Sequence, residues 1–466
     1  MRNIRNLKDP TAWRWLHLLL LLLPLSVQAD PTKVTCREYG TAITCDCNNA
    51  EQPMVLPTLH GGVNQVEIRN CRDLVVEANR LADTVGLRKV TFRQVGQLVL
   101  REHALSVPRY ASNKALIVEF EQTNLQLIES HAINGNIEEI SFVGGRIELM
   151  KPFGFTTTKD SAILLKFDGV TIQRIESQAF KKFSVEQMTI ANCQFLGDLP
   201  TRAFYELEVT NELSLRANHF QEVHSHAFSF KLVSKLSLSE NHFVSVDGEW
   251  FEAQIRDGVT IRGNDFGATS EIAFRSLTVH RSYQLSEHLE LRFHNNSLRS
   301  ARPGSDPRAD GTGAEVTPQP LRFDESFALN VRDLRYDNSW SCSQLDRNVE
   351  PPLPRADFFR LHSDQLMFHP PDYVANSGGV RQVQPYMPLR SLITDQCREQ
   401  SYMAYIVLGS VLLGLLLLLL IFLLWWRVVQ KRKRRKLDVV QPEPRTYKET
   451  QIVYQIENAG LLKTDF

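Results

Sequence analysis

The chain is 466 residues long, and its 53 basic and 53 acidic side chains leave a formal net charge of zero. Binding to nucleic acid requires a positively charged surface, and the one dense basic cluster here directly follows an apolar segment near the carboxyl end. The composition therefore indicates a globular protein without a nucleic-acid partner.

The first predicted element is a secretory signal peptide over residues 1–29. Basic residues precede the apolar run from Leu16 to Leu25, and Val27-Gln-Ala29 has the small residues of a cleavage site. These basic residues are Arg2, Arg5, Lys8 and Arg14. We expect the mature chain to begin near Asp30, in an oxidising compartment that favours disulfides.

A single pattern is then repeated nine times. Each copy has two alternating apolar residues, a fixed position three residues further on, and later a small residue followed by an apolar one. The fixed positions, 22 to 28 residues apart, are Cys71, Val95, Thr123, Gly145, Val170, Cys193, Asn218, Asn241 and Asn264. The small–apolar pairs are Ala104-Leu105, Ala132-Ile133, Ala179-Phe180, Ala203-Phe204, Ala227-Phe228 and Ala273-Phe274. One copy cannot bury its own apolar face, so the copies must stack into a solenoid.

The Asn-x-Phe landmark, as in Asn218-His-Phe220, and the x-Ala-Phe landmark stay in register and resemble the extracellular leucine-rich repeat family. The resemblance covers residues 66–276 and a late copy at residues 289–298, Leu291-Arg-Phe-His-Asn-Asn296-Ser-Leu298, so the repeats are assigned to residues 66–298. It implies an α/β solenoid, a horseshoe with disulfide caps. Only three of the nine fixed positions carry Asn, so a right-handed parallel β-helix is the alternative fold. The Ala-Phe step favours the horseshoe, since a β-helix coil has no evident reason to keep it.

Cysteines are concentrated at the two ends of the solenoid. The disulfide candidates are Cys36, Cys45, Cys47, Cys71, Cys342 and Cys397. The first three precede the repeats and resemble the family's amino-terminal cap, assigned to residues 30–65, but Cys71 lies inside the first coil and its pairing stays open. A zinc site of Cys45, Cys47 and Cys71 is an alternative that the oxidising compartment disfavours. Cys193 occupies a fixed position and is predicted to be a buried, unpaired thiol.

The region after the repeats changes in composition. Residues 299–320 are rich in Pro, Gly and charge and predict a flexible insert. Residues 321–402 are interpreted as a carboxy-terminal cap and stalk, because Asn338-Ser-Trp340-Ser-Cys342 resembles the start of the family's cap, with Cys397 as the available partner. The sequon Asn295-Asn296-Ser297 predicts a glycan on Asn295.

A membrane span is predicted over residues 403–426, which carry no charge. At about 1.5 Å per residue, this length crosses a hydrocarbon core about 30 Å thick. Arg427 and the basic residues 431–436 follow it, which places the tail inside and the repeats outside. We expect a single-pass type I protein of the plasma membrane.

Two short motifs lie in the predicted tail, residues 427–466. Glu457-Asn-Ala-Gly-Leu461-Leu462 resembles an acidic dileucine signal, which binds an endocytic adaptor, and the terminal Thr464-Asp-Phe466 resembles a ligand of PDZ domains, which adds a strand to a sheet edge. Both predict a tail that sorts or anchors the protein.

The sequence carries no phosphate-binding, metalloprotease or serine-hydrolase motif, and we expect no catalysis, cofactor or metal. His224 and His226 suggest a metal pair, but His226 shares its repeat position with His103 and His131, which favours a structural role.

The predicted strands leave one row of side chains pointing outward on a concave face. The candidate partner-binding residues in it are Glu119, Lys166, Thr189, Ser214, Ser237 and Thr260. The next outward row mixes positive and negative charges and consists of Arg69, Arg93, Glu121, Asp168, Arg216 and Arg262. Such faces dock proteins. We therefore expect protein–protein recognition or adhesion with an extracellular or membrane protein ligand; the alternative is a co-receptor or receptor regulator that takes a partner in the same membrane into endocytosis.

Overall fold

The computed structural model describes residues 35–49, 52–59, 61–84, 86–107, 115–157, 162–281, 288–300, 320–349, 356–370 and 386–437. The chain forms two units, Met1–Ile393 and Thr394–Phe466. The predicted signal peptide, residues 301–319 of the predicted insert, and the tail motifs at Glu457, Leu461, Leu462, Thr464 and Phe466 lie outside the described residues.

The first unit is built almost entirely of short strands. In chain order they are β1 Thr35–Tyr39, β2 Ala42–Asp46, β3 Met54–Val55, β4 Gln65–Arg69, β5 Asp73–Val76, β6 Lys89–Arg93, β7 Gln97–Leu100, β8 Leu105–Val107, β9 Leu116–Glu121, β10 Asn124–Ile128, β11 Ile133–Gly135, β12 Ile137–Val143, β13 Arg146–Ile147, β14 Ile163–Asp168, β15 Thr171–Ile172, β16 Phe180–Lys181, β17 Ser184–Ala191, β18 Gln194–Phe195, β19 Phe204–Arg216, β20 His219–Val223, β21 Phe228–Ser239, β22 His242–Val246, β23 Phe251–Arg262, β24 Asp265–Thr269, β25 Leu277–Val279, β26 Leu289–His294, β27 Ser297–Ser300, β28 Phe327–Arg332, β29 Leu334–Ser339, β30 Leu366–His369 and β31 Met387–Pro388.

Most of these strands form two long sheets, because each coil contributes one strand to each. β16 and β25 pair with β19 and β23 beside the main order of the first sheet, and β8 and β11 form a separate two-stranded sheet. The first sheet has the order β1-β2-β4-β6-β9-β12-β14-β17-β19-β21-β23-β26-β28, and the second β3-β5-β7-β10-β13-β15-β18-β20-β22-β24-β27-β29-β30-β31. Pairs are parallel from β2 to β28 in the first sheet, while β1 pairs with β2 and β31 with β30 in antiparallel fashion.

The architecture is thus a parallel β-solenoid of about nine turns. The predicted solenoid is confirmed. Within the described part of the repeats, residues 65–300, the coils contain strands and turns and no helix. The parallel β-helix, the alternative fold, fits this arrangement, and the leucine-rich repeat horseshoe is not confirmed.

The Ala-Phe step has a clear role in these coils. The residue before the Ala has a positive φ in five of the six steps, as at Arg202 and His226, and turns the chain there; Ile272 before Ala273 is the exception. The Ala is fully buried, and the Phe rings stack on those of neighbouring coils. The ring centroids of Phe180 and Phe204 are 4.8 Å apart, and those of Phe204 and Phe228 are 5.0 Å apart. Because a β-coil also uses this step, it does not distinguish the two folds.

The fixed positions Asn218, Asn241 and Asn264, together with Asn296 of the next coil, form a ladder of buried asparagines. Asn241 donates to the Leu215 carbonyl at 2.8 Å, and its side-chain oxygen accepts from the backbone N–H of Asn218 at 3.1 Å. Asn264 and Asn296 repeat these contacts in the next two coils. All four residues are at most 2% exposed. The ladder satisfies backbone groups that the inward turn would otherwise leave unpaired.

In earlier coils, residues other than asparagine occupy the fixed position at the inward turn. The Thr123 hydroxyl lies within hydrogen-bonding distance of the Phe92 and Glu121 carbonyls. Gly145 has φ +76°, and a β-carbon on it would lie 2.2 Å from the Thr123 carbonyl oxygen. Cys193 is buried and free, as predicted.

The amino-terminal end is closed by the β1–β2 hairpin and two disulfides. Cys36 bonds to Cys45, and Cys47 bonds to Cys71, so the first coil is covalently tied to the cap. The three cysteines of the alternative zinc site are therefore used in disulfides. Cys342 and Cys397 are also disulfide-bonded.

Helices follow the repeats. They are α1 Cys342–Val349, α2 Ala356–Leu361, α3 Leu389–Ser391, a π-helical turn at Leu392–Cys397, and α4 Arg398–Leu437. Within α4, residues Met403–Lys433 are long and apolar enough to span a membrane, and none of that segment's most apolar stretch is buried. This agrees with the predicted span and with a single-pass membrane protein.

Candidate interaction surface

The outward side of the first sheet, here called the first-sheet face, carries three aligned rows of side chains. Alternate residues of each strand point out, because successive side chains of a strand lie on opposite sides. Row 1 is Gln65, Lys89, Ile117, Glu139, Leu164, Gln187, Glu212, Lys235, Gly258, Glu290 and Ala328. Row 2 is Glu67, Thr91, Glu119, Ser141, Lys166, Thr189, Ser214, Ser237, Thr260, Arg292 and Asn330. Row 3 is Arg69, Arg93, Glu121, Val143, Asp168, Ala191, Arg216, Ser239, Arg262, His294 and Arg332.

All six residues proposed for partner binding lie in row 2, in continuous register. The structure therefore brings Glu119, Lys166, Thr189, Ser214, Ser237 and Thr260 onto one surface. Their environments differ sharply along the solenoid, which divides the face into two halves.

The half formed by β2 to β14 is a network of ion pairs between coils. Arg93 contacts Glu121 at 2.7 Å and Glu67 at 3.3 Å, and the hydrogen bond to Glu121 raises the pKa of the Arg93 guanidinium. Lys89 contacts Glu119 at 2.8 Å. These groups satisfy one another, and each exposed pair contributes at most about 1 kcal/mol. The prediction that Glu119 binds a partner therefore requires an interaction that competes with Lys89.

The other half, formed by β17 to β28, has few such contacts. Thr189, Ser214, Ser237 and Thr260 are partly exposed, and their hydroxyls make no hydrogen bond within the described residues. Hydroxyls both donate and accept. This row thus presents four free donor–acceptor groups to a partner, one on each successive coil.

Row 3 in the same half carries unpaired positive charge. Arg216, Arg262 and Arg332 are exposed, and none forms a salt bridge or side-chain hydrogen bond with another described residue. Among the other charged members of the three rows in this half, Lys235 pairs with Glu212 and Arg292 with Glu290. The three arginines are therefore the charged residues of these rows that lack an ion pair. Within the described residues, Glu240 and Asp333, in the turns that follow β21 and β28, are also exposed and unpaired.

Sequence reasoning named Arg216 and Arg262 only as members of a row of mixed sign. The sequence does not show which charged side chains form ion pairs, because partners such as Arg93 and Glu121 lie 28 residues apart in the chain. The available signal was that arginine alternates with neutral residues on successive coils, which Arg332 continues after the insert.

The predicted glycosylation site lies in the turn after β26, beside row 3 of this half. Asn295 is exposed with φ +53°, and it follows His294 of row 3. Its neighbour Asn296 is fully buried in the asparagine ladder. Asn295 is thus accessible in the folded chain, next to the arginine row.

The two histidines weighed as a metal pair are separated by the fold. His224 lies with Asp198 and Glu222, whose ligand atoms all lie within 4.8 Å of one another. His226 instead lies between two carboxylates, 3.8 Å from Glu249 and 3.5 Å from Glu252. In the first group Asp198 is exposed and the other two residues are half-buried, and such clusters with exposed acidic groups are common without an ion.

The chain was also compared with known proteins. No protein-family profile matches it, and no curated protein matches it.

Proposed function

We propose that this protein is a cell-surface recognition or adhesion protein, and that its solenoid, related in repeat pattern to leucine-rich repeats, binds another protein outside the cell. One observation carries the proposal: the half of the first-sheet face from β17 to β28 presents free hydroxyls and unpaired arginines in regular rows. Polar groups left without internal partners on a rigid sheet are pre-organised for a ligand.

Other features of the chain support an extracellular location for the solenoid. The signal peptide predicted from the sequence, the disulfides at Cys36–Cys45 and Cys47–Cys71, and the sequon at Asn295 are all typical of a secreted ectodomain. The apolar helix α4 is followed by basic residues, which favours a type I orientation in the plasma membrane. We propose no enzymatic activity.

The test is a cell-mixing assay with the full-length protein. Expressing cells are shaken together and with labelled cells that lack the protein. Clustering that survives deletion of residues 437–466 supports adhesion through the ectodomain. Absence of clustering, with the protein present at the surface, contradicts adhesion.

The second candidate is a co-receptor that carries a partner in the same membrane into endocytosis. It rests on the tail motif at Glu457, Leu461 and Leu462. Under this reading, Leu461→Ala with Leu462→Ala raises the surface level and slows uptake of surface-labelled protein. Unchanged uptake removes the argument.

A further inference from the structure

The spacing of the unpaired arginines is the feature that points to a particular kind of partner. Arg216, Arg262 and Arg332 lie in β19, β23 and β28, with one intervening strand between each neighbouring pair. Adjacent strands of a sheet lie about 4.8 Å apart, so the arginines repeat about every 9.6 Å along the solenoid. The residues between them, Ser239 and His294, carry no permanent charge.

We propose that this surface binds an acidic polyproline II segment of a partner protein, with a carboxylate at every third residue. This inference rests on the proposed recognition function and specifies its ligand. A polyproline II helix has three residues per turn and a rise of about 3.1 Å, so its side chains return to the same side about every 9.3 Å. Over two steps the mismatch with the arginine row is less than about 1 Å.

Other backbone conformations fit the row less well. In a β-strand, side chains on one face recur about every 6.8 Å, and residues three apart face opposite sides. In an α-helix, residues seven apart recur about every 10.5 Å, which accumulates a mismatch of about 2 Å over two steps. Only the polyproline II repeat therefore matches all three arginines at once.

The neighbouring hydroxyl row suits the same ligand. A polyproline II backbone makes no internal hydrogen bonds, so its carbonyl groups need outside donors. Ser214, Ser237 and Thr260 lie in row 2, two residues or about 6.7 Å along each strand from row 3. Their free hydroxyls can donate to those carbonyls while the arginines bind the carboxylates with charge-assisted bonds.

The experiment measures binding of two labelled peptides to the full-length protein in nanodiscs. The first has four Glu-Pro-Pro triplets; the second has the same composition with its four glutamates adjacent. We expect the first peptide to bind at least about tenfold more tightly. Equal affinities overturn the proposal, because they would show attraction to charge alone.

Two double variants locate the site. Arg216→Ser with Arg262→Ser is expected to weaken the first peptide at least about tenfold. Arg146→Ser with Arg299→Ser removes the same charge from exposed positions on the second sheet, and is expected to leave affinity unchanged. Equal losses in the two variants, or no loss in the first, would overturn the assignment of the site.

The remaining outcomes separate this proposal from the broader function. A sulfated heparin oligosaccharide that binds the arginine row more tightly than either peptide overturns it in favour of a glycan ligand. If neither peptide binds but expressing cells cluster, the ligand class is wrong and recognition stands. If the triplet peptide binds in the expected pattern but cells do not cluster, the site stands and adhesion fails.

Discussion

Replacing Asn241 by alanine tests how the asparagine ladder holds the second half of the solenoid together. Asn241 is 1% exposed and makes contacts with two coils. Its loss leaves the backbone N–H of Asn218 and the carbonyl of Leu215 without the partners that now lie at 3.1 and 2.8 Å. Each buried unpaired group costs about 1 to 3 kcal/mol, so we expect a loss of about 2 to 6 kcal/mol.

Urea unfolding of the full-length protein, followed by the β-sheet circular dichroism band, measures this loss. The matched control is Asn211→Ala, since Asn211 is exposed on β19 and makes no side-chain hydrogen bond with the described residues. It is expected to change stability by less than about 0.5 kcal/mol. An Asn241→Ala midpoint equal to the wild-type value would refute the role of the ladder.

Three further predictions concern single positions. Gly145→Ala is expected to lower the urea midpoint more than Gly169→Ala. Both glycines have a positive φ, but only at Gly145 would a β-carbon overlap backbone atoms, those of Thr123. Equal losses of stability in the two variants would contradict this expectation. Burial raises the pKa of the Cys193 thiol to about 11, so native protein should resist iodoacetamide at this residue and react only when unfolded, and rapid native labelling would show that the thiol is accessible. Burial, and then the charge of a neighbouring histidine, lowers the pKa of His219 from 6.5. The contribution of His219 to stability is therefore present above pH 6.5 and is lost as the pH falls below that value. We expect His219→Gln to flatten the pH dependence of the unfolding free energy between about pH 7 and 5, and an unchanged pH dependence would exclude this residue as a cause.

The strands of the first sheet could be predicted from the sequence because alternating apolar residues directly encode one buried side. The fixed positions were also predictable, since Asn241 and Asn264 follow each strand at the same distance. The second sheet was not predicted. Its strands are two to six residues long, and several, such as Gln194–Phe195, have only two, too short for alternation to be recognised.

Row 2 could be predicted because it needs only the position of each residue within its own strand. The division of the face into paired and unpaired halves could not, because it depends on contacts between coils. Arg93 and Arg216 occupy equivalent positions in sequence, yet Arg93 is neutralised by two glutamates from neighbouring coils while Arg216 has neutral neighbours. The sequence shows which residues of neighbouring coils lie side by side only when the length of each insertion between the coils is known.

The most direct test of recognition through the first-sheet face is to place a glycan on it. Ser237→Asn creates the sequon Asn-Leu-Ser with Ser239 on the hydroxyl row. The control, Arg174→Asn with Glu176→Thr, creates a sequon after β15 of the second sheet, where the two residues now pair with each other.

Endoglycosidase digestion confirms attachment of each glycan before the cells are mixed. We expect cells expressing the Ser237→Asn variant to lose clustering and cells expressing the control variant to keep it. Undiminished clustering of cells whose Ser237→Asn variant carries the glycan would contradict recognition through this face.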